Sequence, residues 1–101
     1  MVQVSSTGSV VPYQFTRSLQ FRDQQPDVKR LQQYLNAHGA LVAAENYGSP
    51  GNETDFFGVL TSRALARFQE MHADEILKPL GLTAGTGFFG PSTRTYVNSQ
   101  R

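Results

Sequence analysis

The stretch Phe56-Phe57-Gly58-Val59-Leu60-Thr61-Ser62-Arg63 returns further along the chain as Phe88-Phe89-Gly90-Pro91-Ser92-Thr93-Arg94-Thr95. Both copies have the form Phe-Phe-Gly-x-x-Thr, and both lead into residues with helical apolar spacing. A duplicated corner in a chain of 101 residues means a fold assembled from like units that cannot bury their apolar faces alone. Pro91 suits a first helical position, where its missing N–H would be unsatisfied anyway, so Gly90 becomes the N-cap. Equivalence makes Gly58 the N-cap of the preceding helix. Thr61 and Thr93 then fall at the third helical position, from which a hydroxyl can bond back toward the cap as in a capping box. Phe57 and Phe89, just before the caps, are placed to staple onto the apolar face one turn in.

Working outward, the first corner opens a helix from Val59 to about His72, with an expected buried stripe of Leu60, Ala64, Leu65, Phe68 and Met71 or His72. The second corner opens a helix from Pro91 to about Ser99 that buries Thr93, Tyr96 and Val97. Upstream, Pro26 starts a helix running to about His38. Asp27 there meets the positive end of the helix dipole, Val28, Leu31 and Leu35 form one stripe, and Gly39 is the stop. Residues 40–55 are a long connection built on the turn-forming run Gly48-Ser49-Pro50-Gly51-Asn52-Glu53. Residues 76–80 read as a short apolar turn and 81–87 as a second loop. Alternation of Tyr13, Phe15, Leu19 and Phe21 marks an extended segment lying on the core. Residues 1–14 read as a linker or leading tail, and 15–101 as the domain. The expected fold is mainly α: a compact three-helix domain with a duplicated turn-helix unit and long irregular loops.

Composition narrows the function classes. One domain is expected at this length. A hydrophobic fraction of 39% with four Tyr and seven Phe supports one modest core. The net charge of +1 lacks the basic excess of a nucleic-acid module, and the final helix carries only Arg94 and Arg101, too few for phosphate contacts. With no cysteine, disulfides and thiolate metal sites are excluded. Acceptors at Glu45, Asn52, Glu53 and Asp55 lack the offsets of a calcium loop, and His38 and His72 lie in different helices without zinc-ligand spacing. No metal and no cofactor is expected. Neither is an enzyme, since no Ser/His/Asp or Cys/His set is present. No apolar run reaches the roughly 20 residues of a membrane span, and the first 13 residues do not read as a signal peptide.

Three motifs in order carry a family resemblance. They are Asp27-Val28-x-x-Leu31-Gln32-x-x-Leu35 ending at Gly39, Phe57-Gly58-x-x-Thr61-x-x-Ala64-Leu65-x-x-Phe68-Gln69, and Phe89-Gly90-x-x-Thr93. Together they resemble the bacterial peptidoglycan-binding domain of the three-helix type, over roughly Leu19 to Val97. The chain departs from the family pattern in its longer 40–55 connection, which lacks the usual Asp-Gly, and in its longer 76–86 stretch. The resemblance implies non-catalytic attachment to cell-wall peptidoglycan, as an extracytoplasmic module of a larger envelope protein with a catalytic domain elsewhere. A protein-interaction or surface-assembly module on the same frame is the alternative.

Candidate ligand residues follow from this frame. Leu31, Leu35, Phe57, Leu65, Phe68 and Phe89 are assigned to the core, and the Gln32 and Gln69 amides to loop backbone groups. Phe56 and Phe88, one position before each core Phe, are candidates for stacking on a sugar face or a muropeptide arm. Arg63, Arg67 and Arg94 lie on solvent sides of their helices, where a guanidinium fork suits stem-peptide carboxylates. Tyr47, Asn52, Glu53 and Asp55 belong to the long connection beside the second helix, where they either hydrogen-bond ligand or close turns.

Overall fold

The computed structural model describes residues 13–100. Most of the expected leading tail, and Arg101, lie outside the described residues. Helix α1 spans Pro26–Ala37, α2 Val59–Met71, α3 Ala73–Ile76 and α4 Pro91–Ser99, with a single 3-10 turn at Lys78–Leu80 between α3 and α4. Among the described residues there is no strand, only two isolated antiparallel bridges, Leu19 with Phe89 and Gln24 with Phe56. The short apolar turn expected at 76–80 is therefore the end of α3 and the 3-10 turn.

The helix boundaries follow local chemistry. Pro26 and Pro91 occupy first-turn positions of α1 and α4. Gly39 takes φ +84° after α1, and the Ala40 N–H returns to the Leu35 carbonyl at 3.0 Å, a glycine-terminated stop. The two corners have the same backbone shape: Gly58 caps α2 at φ −98°, ψ −167°, and Gly90 caps α4 at φ −98°, ψ −170°. Phe57 and Phe89, the inner aromatics, are fully buried. They join Phe15, Leu19, Val28, Leu31, Leu35, Leu65 and Phe68 in one core, and Phe15 meets Phe89 edge-on at 4.9 Å between centroids.

One extended segment binds both corners. Leu19 exchanges two backbone hydrogen bonds with Phe89, at 3.0 and 2.8 Å. A few residues on, Arg22 N–H donates to Phe57 O, Phe57 N–H to Asp23 O and Gln25 N–H to Asp55 O, at 2.8, 2.8 and 2.9 Å. Tyr13, ahead of it, packs edge-on against Phe15 and donates its hydroxyl to Asp27.

Three expectations are corrected here. Thr61 and Thr93 do not bond back to their glycine caps. Each hydroxyl instead accepts from a buried glutamine on an earlier helix: Gln32 Nε2 of α1 reaches Thr61 Oγ1 at 2.8 Å and Gln69 Nε2 of α2 reaches Thr93 Oγ1 at 3.0 Å. Leu60 and Met71 are about half exposed, at 49% and 53%. The inward face of α2 is Thr61, Ala64, Leu65, Phe68 and Gln69, an i, i+3, i+4, i+7, i+8 set in which two polar residues occupy the places where apolar ones were expected. Tyr96 is only partly buried and packs on the core edge.

Each glutamine does the same work. Gln32 accepts from Thr54 N–H at 2.7 Å and donates to Phe56 O at 3.0 Å. Gln69 accepts from Thr86 N–H at 2.7 Å and Gly87 N–H at 3.1 Å, and donates to Phe88 O at 2.8 Å. Both side chains are 2% exposed. Replacing Gln69 by Leu strands all these groups, each at about 1–3 kcal/mol when buried. We expect Gln69→Leu to lower unfolding free energy in urea by at least about 3 kcal/mol, and exposed Gln33→Leu to change it by under about 0.5 kcal/mol. Equal small effects would refute the clamp.

Candidate functional site

Because the inner Phe of each corner goes to the core, alternation along the extended chain turns the outer Phe to the surface. Phe56 is 46% and Phe88 42% exposed. Each ring lies over its N-cap glycine, where an added Cβ would come within 3.2 Å of Phe56 Cε2 at Gly58 and 2.5 Å of Phe88 Cε2 at Gly90. Glycine at the cap thus seats the aromatic ring against the backbone.

Each outer Phe walls a groove floored by its Gln–Thr pair. The first groove, about 220 Å³, is lined by Val42, Tyr47, Phe56, Val59 and Leu60 above Gln32 and Thr61. The long connection therefore does border α2, and Tyr47, 83% exposed, faces the same groove as Phe56. The second groove, about 320 Å³, sets Phe88 among Leu77, Leu80, Leu82 and Pro91 above Gln69 and Thr93. Its lining is almost wholly apolar.

The remaining candidates are dispersed. Asn52 closes a turn, its amide donating to Ser49 Oγ at 2.9 Å and its N–H to Ser49 O at 2.7 Å. Glu53 and Asp55 line a separate cleft of about 570 Å³ against the outer side of α1, facing Lys29, Arg30 and Gln33. Arg63 is exposed on α2, one turn beyond Val59 and Leu60. Arg67 donates to the Leu41 carbonyl at 2.6 Å and so braces the connection. Arg94 reaches Ser18 Oγ at 3.3 Å. The structure thus brings Tyr47 and Phe56 together, and Glu53 with Asp55, but not all into one site.

Sequence reading missed Lys29, Arg30 and Gln33, and the apolar rim at Leu80 and Leu82. It also overlooked that the repeat extends upstream to Thr54 and Thr86, in Thr-x-Phe-Phe-Gly-x-x-Thr. That signal was available. Both threonine hydroxyls accept from the N–H of the outer Phe, at 3.3 Å for Phe56 and 3.0 Å for Phe88. Among the described residues, no group of three or more His, Cys, Asp or Glu could hold a metal ion, and no helix is long and apolar enough to cross a membrane.

Glu53 has a defined electrostatic setting. Partial burial pushes its carboxyl up, but donation from the Asn36 amide, from its own backbone N–H and from Gly51 N–H, with the field of Lys29, outweighs this and holds it below the usual value. A lowered folded pKa contributes stability above the unfolded carboxyl pKa of roughly 4.3, and that stability is lost as pH falls through the folded value. We expect Glu53→Gln to be less stable than the native chain at pH 7, the two converging at acid pH. A gap that stays constant with pH would exclude this origin.

The model of the peptidoglycan binding domain family matches residues 24–93, a span that contains both buried glutamines, both Phe-Phe-Gly corners and both grooves. Neither the curated proteins nor the solved structures yield a match. With the match covering most of the chain and the two helix-starting corners superposable in backbone angle, the chain belongs to the peptidoglycan-binding domain family.

Proposed function

We propose that this domain binds the glycan and stem peptide of cell-wall peptidoglycan without catalysis, and holds a larger extracytoplasmic envelope or wall-hydrolase protein on the wall. The observation that carries this reading, beyond family membership, is the groove where Phe56 and Tyr47 present exposed aromatic surface. The apolar face of a sugar ring stacks on such aromatic surface, and the Phe56 ring needs little ordering, because the Gly58 backbone already limits it. Its polar floor is spent internally on Gln32 and Thr61, so the groove offers shape and aromatic contact more than hydrogen bonds.

A second reading, docking of another protein, draws on the Phe88 groove, whose rim exposes Leu80 at 56% and Leu82 at 39%. The two separate cleanly. Retention that survives digestion of the wall glycan and follows a protein fraction supports docking.

For the main reading, purified domain co-sediments with insoluble sacculi at low salt. We expect Phe56→Ala and Tyr47→Ala each to weaken retention by about tenfold, the equivalent of ~1.4 kcal/mol. Lys78→Ala, at an exposed i,i+4 pair with Asp74, leaves retention unchanged. Failure of the native chain to sediment would overturn the proposal.

A further inference from the structure

The internal repeat allows the two units to be compared residue by residue. Aligning the helices on Gln32 and Gln69 pairs Lys29 with Ala66, Arg30 with Arg67 and Gln33 with Glu70. Aligning the loops on Thr54 and Thr86 pairs Glu53 with Gly85 and Asp55 with Gly87. In the second unit this place is closed. A Cβ on Gly85 would sit 2.2 Å from the Ala66 carbonyl oxygen, so the loop backbone lies directly on α2, and Glu70 fastens it through the Gly85 N–H at 2.9 Å.

In the first unit the same place is an open cleft of about 570 Å³. The small residues are replaced by Lys29 on the helix and by Glu53 and Asp55 on the loop. Hydrogen bonds at the base fix the loop wall relative to α1. Gln32 grips the Thr54 N–H at 2.7 Å and Gln25 the Asp55 carbonyl at 2.9 Å. The Glu53 carboxylate is oriented by Asn36 Nδ2 at 2.9 Å and Gly51 N–H at 3.0 Å. Yet the opposite charges do not close on each other. Among the described residues the ion pairs are Arg17–Asp27 and Lys78–Asp74, and neither Lys29 nor Arg30 pairs with Glu53 or Asp55.

We propose that this cleft takes an amino-acid unit bearing both a free ammonium and a free carboxylate, with the carboxylate toward Lys29 and Arg30 and the ammonium toward Glu53 and Asp55. Resting on the peptidoglycan reading above, the ligand is the un-cross-linked diamino acid of a stem peptide, because cross-linking converts that amine to an amide and removes its charge. Both ends are then read by charge-assisted hydrogen bonds. The sign separation also sets polarity, since the reversed ligand meets like charges at each wall.

The test is an amide NMR titration of the full chain with two probes. One is a disaccharide tripeptide ending in a diamino acid with free amine and carboxylate, and the other is the same compound with that amine acetylated. The expected result is shifts at residues 29–33 and 53–55 with the first probe, and affinity lower by about tenfold or more with the second. Asp55→Lys, whose native side chain makes no hydrogen bond among the described residues, removes the preference for the free amine. Equal affinity for the two probes, or shifts confined to Tyr47 and Phe56, overturns the inference. Sacculus sedimentation run in parallel keeps the two readings apart. Retention without a cleft response sinks the cleft alone. A cleft response without retention sinks wall attachment and leaves the zwitterion site standing.

Discussion

A buried amide holds each unit together. Helices as short as α1 and α2 are marginal alone, and here one glutamine side chain joins α1 to the start of α2 and another joins α2 to the start of α4. The amide suits the task because it carries two donors and an acceptor in one plane. Gln32 and Gln69 spend the acceptor on the loop backbone and the donors on the outer Phe carbonyl and the Thr hydroxyl. A leucine would strand every partner, and a glutamate would lose the donors. Helix, loop and following helix are thereby set in one register.

That register is shared, whereas the surfaces above it diverge. Where Ala66 faces Gly85 the chain collapses onto the helix. Where Lys29 faces Glu53 and Asp55 the same backbone relation leaves an open charged cleft. The grooves at Phe56 and Phe88 diverge in the same way, one bordered by Tyr47 from the connection and the other by Leu80 and Leu82 from the 3-10 turn and the loop after it. Duplication supplies a rigid frame, and the longer loops decide what each copy presents.

The extended segment before α1 explains why the two units form one body. By pairing Leu19 with Phe89 and Asp23 with Phe57 it links both corners through backbone hydrogen bonds, and Phe15 and Leu19 enter the core between them. The two antiparallel bridges stay isolated because each corner turns at once into a helix, leaving no room for a ladder.

Sequence alone determined where the three longer helices begin and end, though not the short α3, along with which Phe of each pair is buried and the family, because Pro, Gly and apolar spacing act over a few residues. It also pointed to the amides of Gln32 and Gln69 as partners of loop backbone. The tertiary structure decided which distant groups meet: Gln32 with Thr54 across 22 residues, Gln69 with Thr93 across 24. It turned Leu60 outward, since the glutamine clamp calls Thr61 inward, and it set Lys29 opposite Glu53. Local periodicity does not encode the path of a long loop. That path is chosen by the buried hydrogen bonds it must satisfy once the helices have packed.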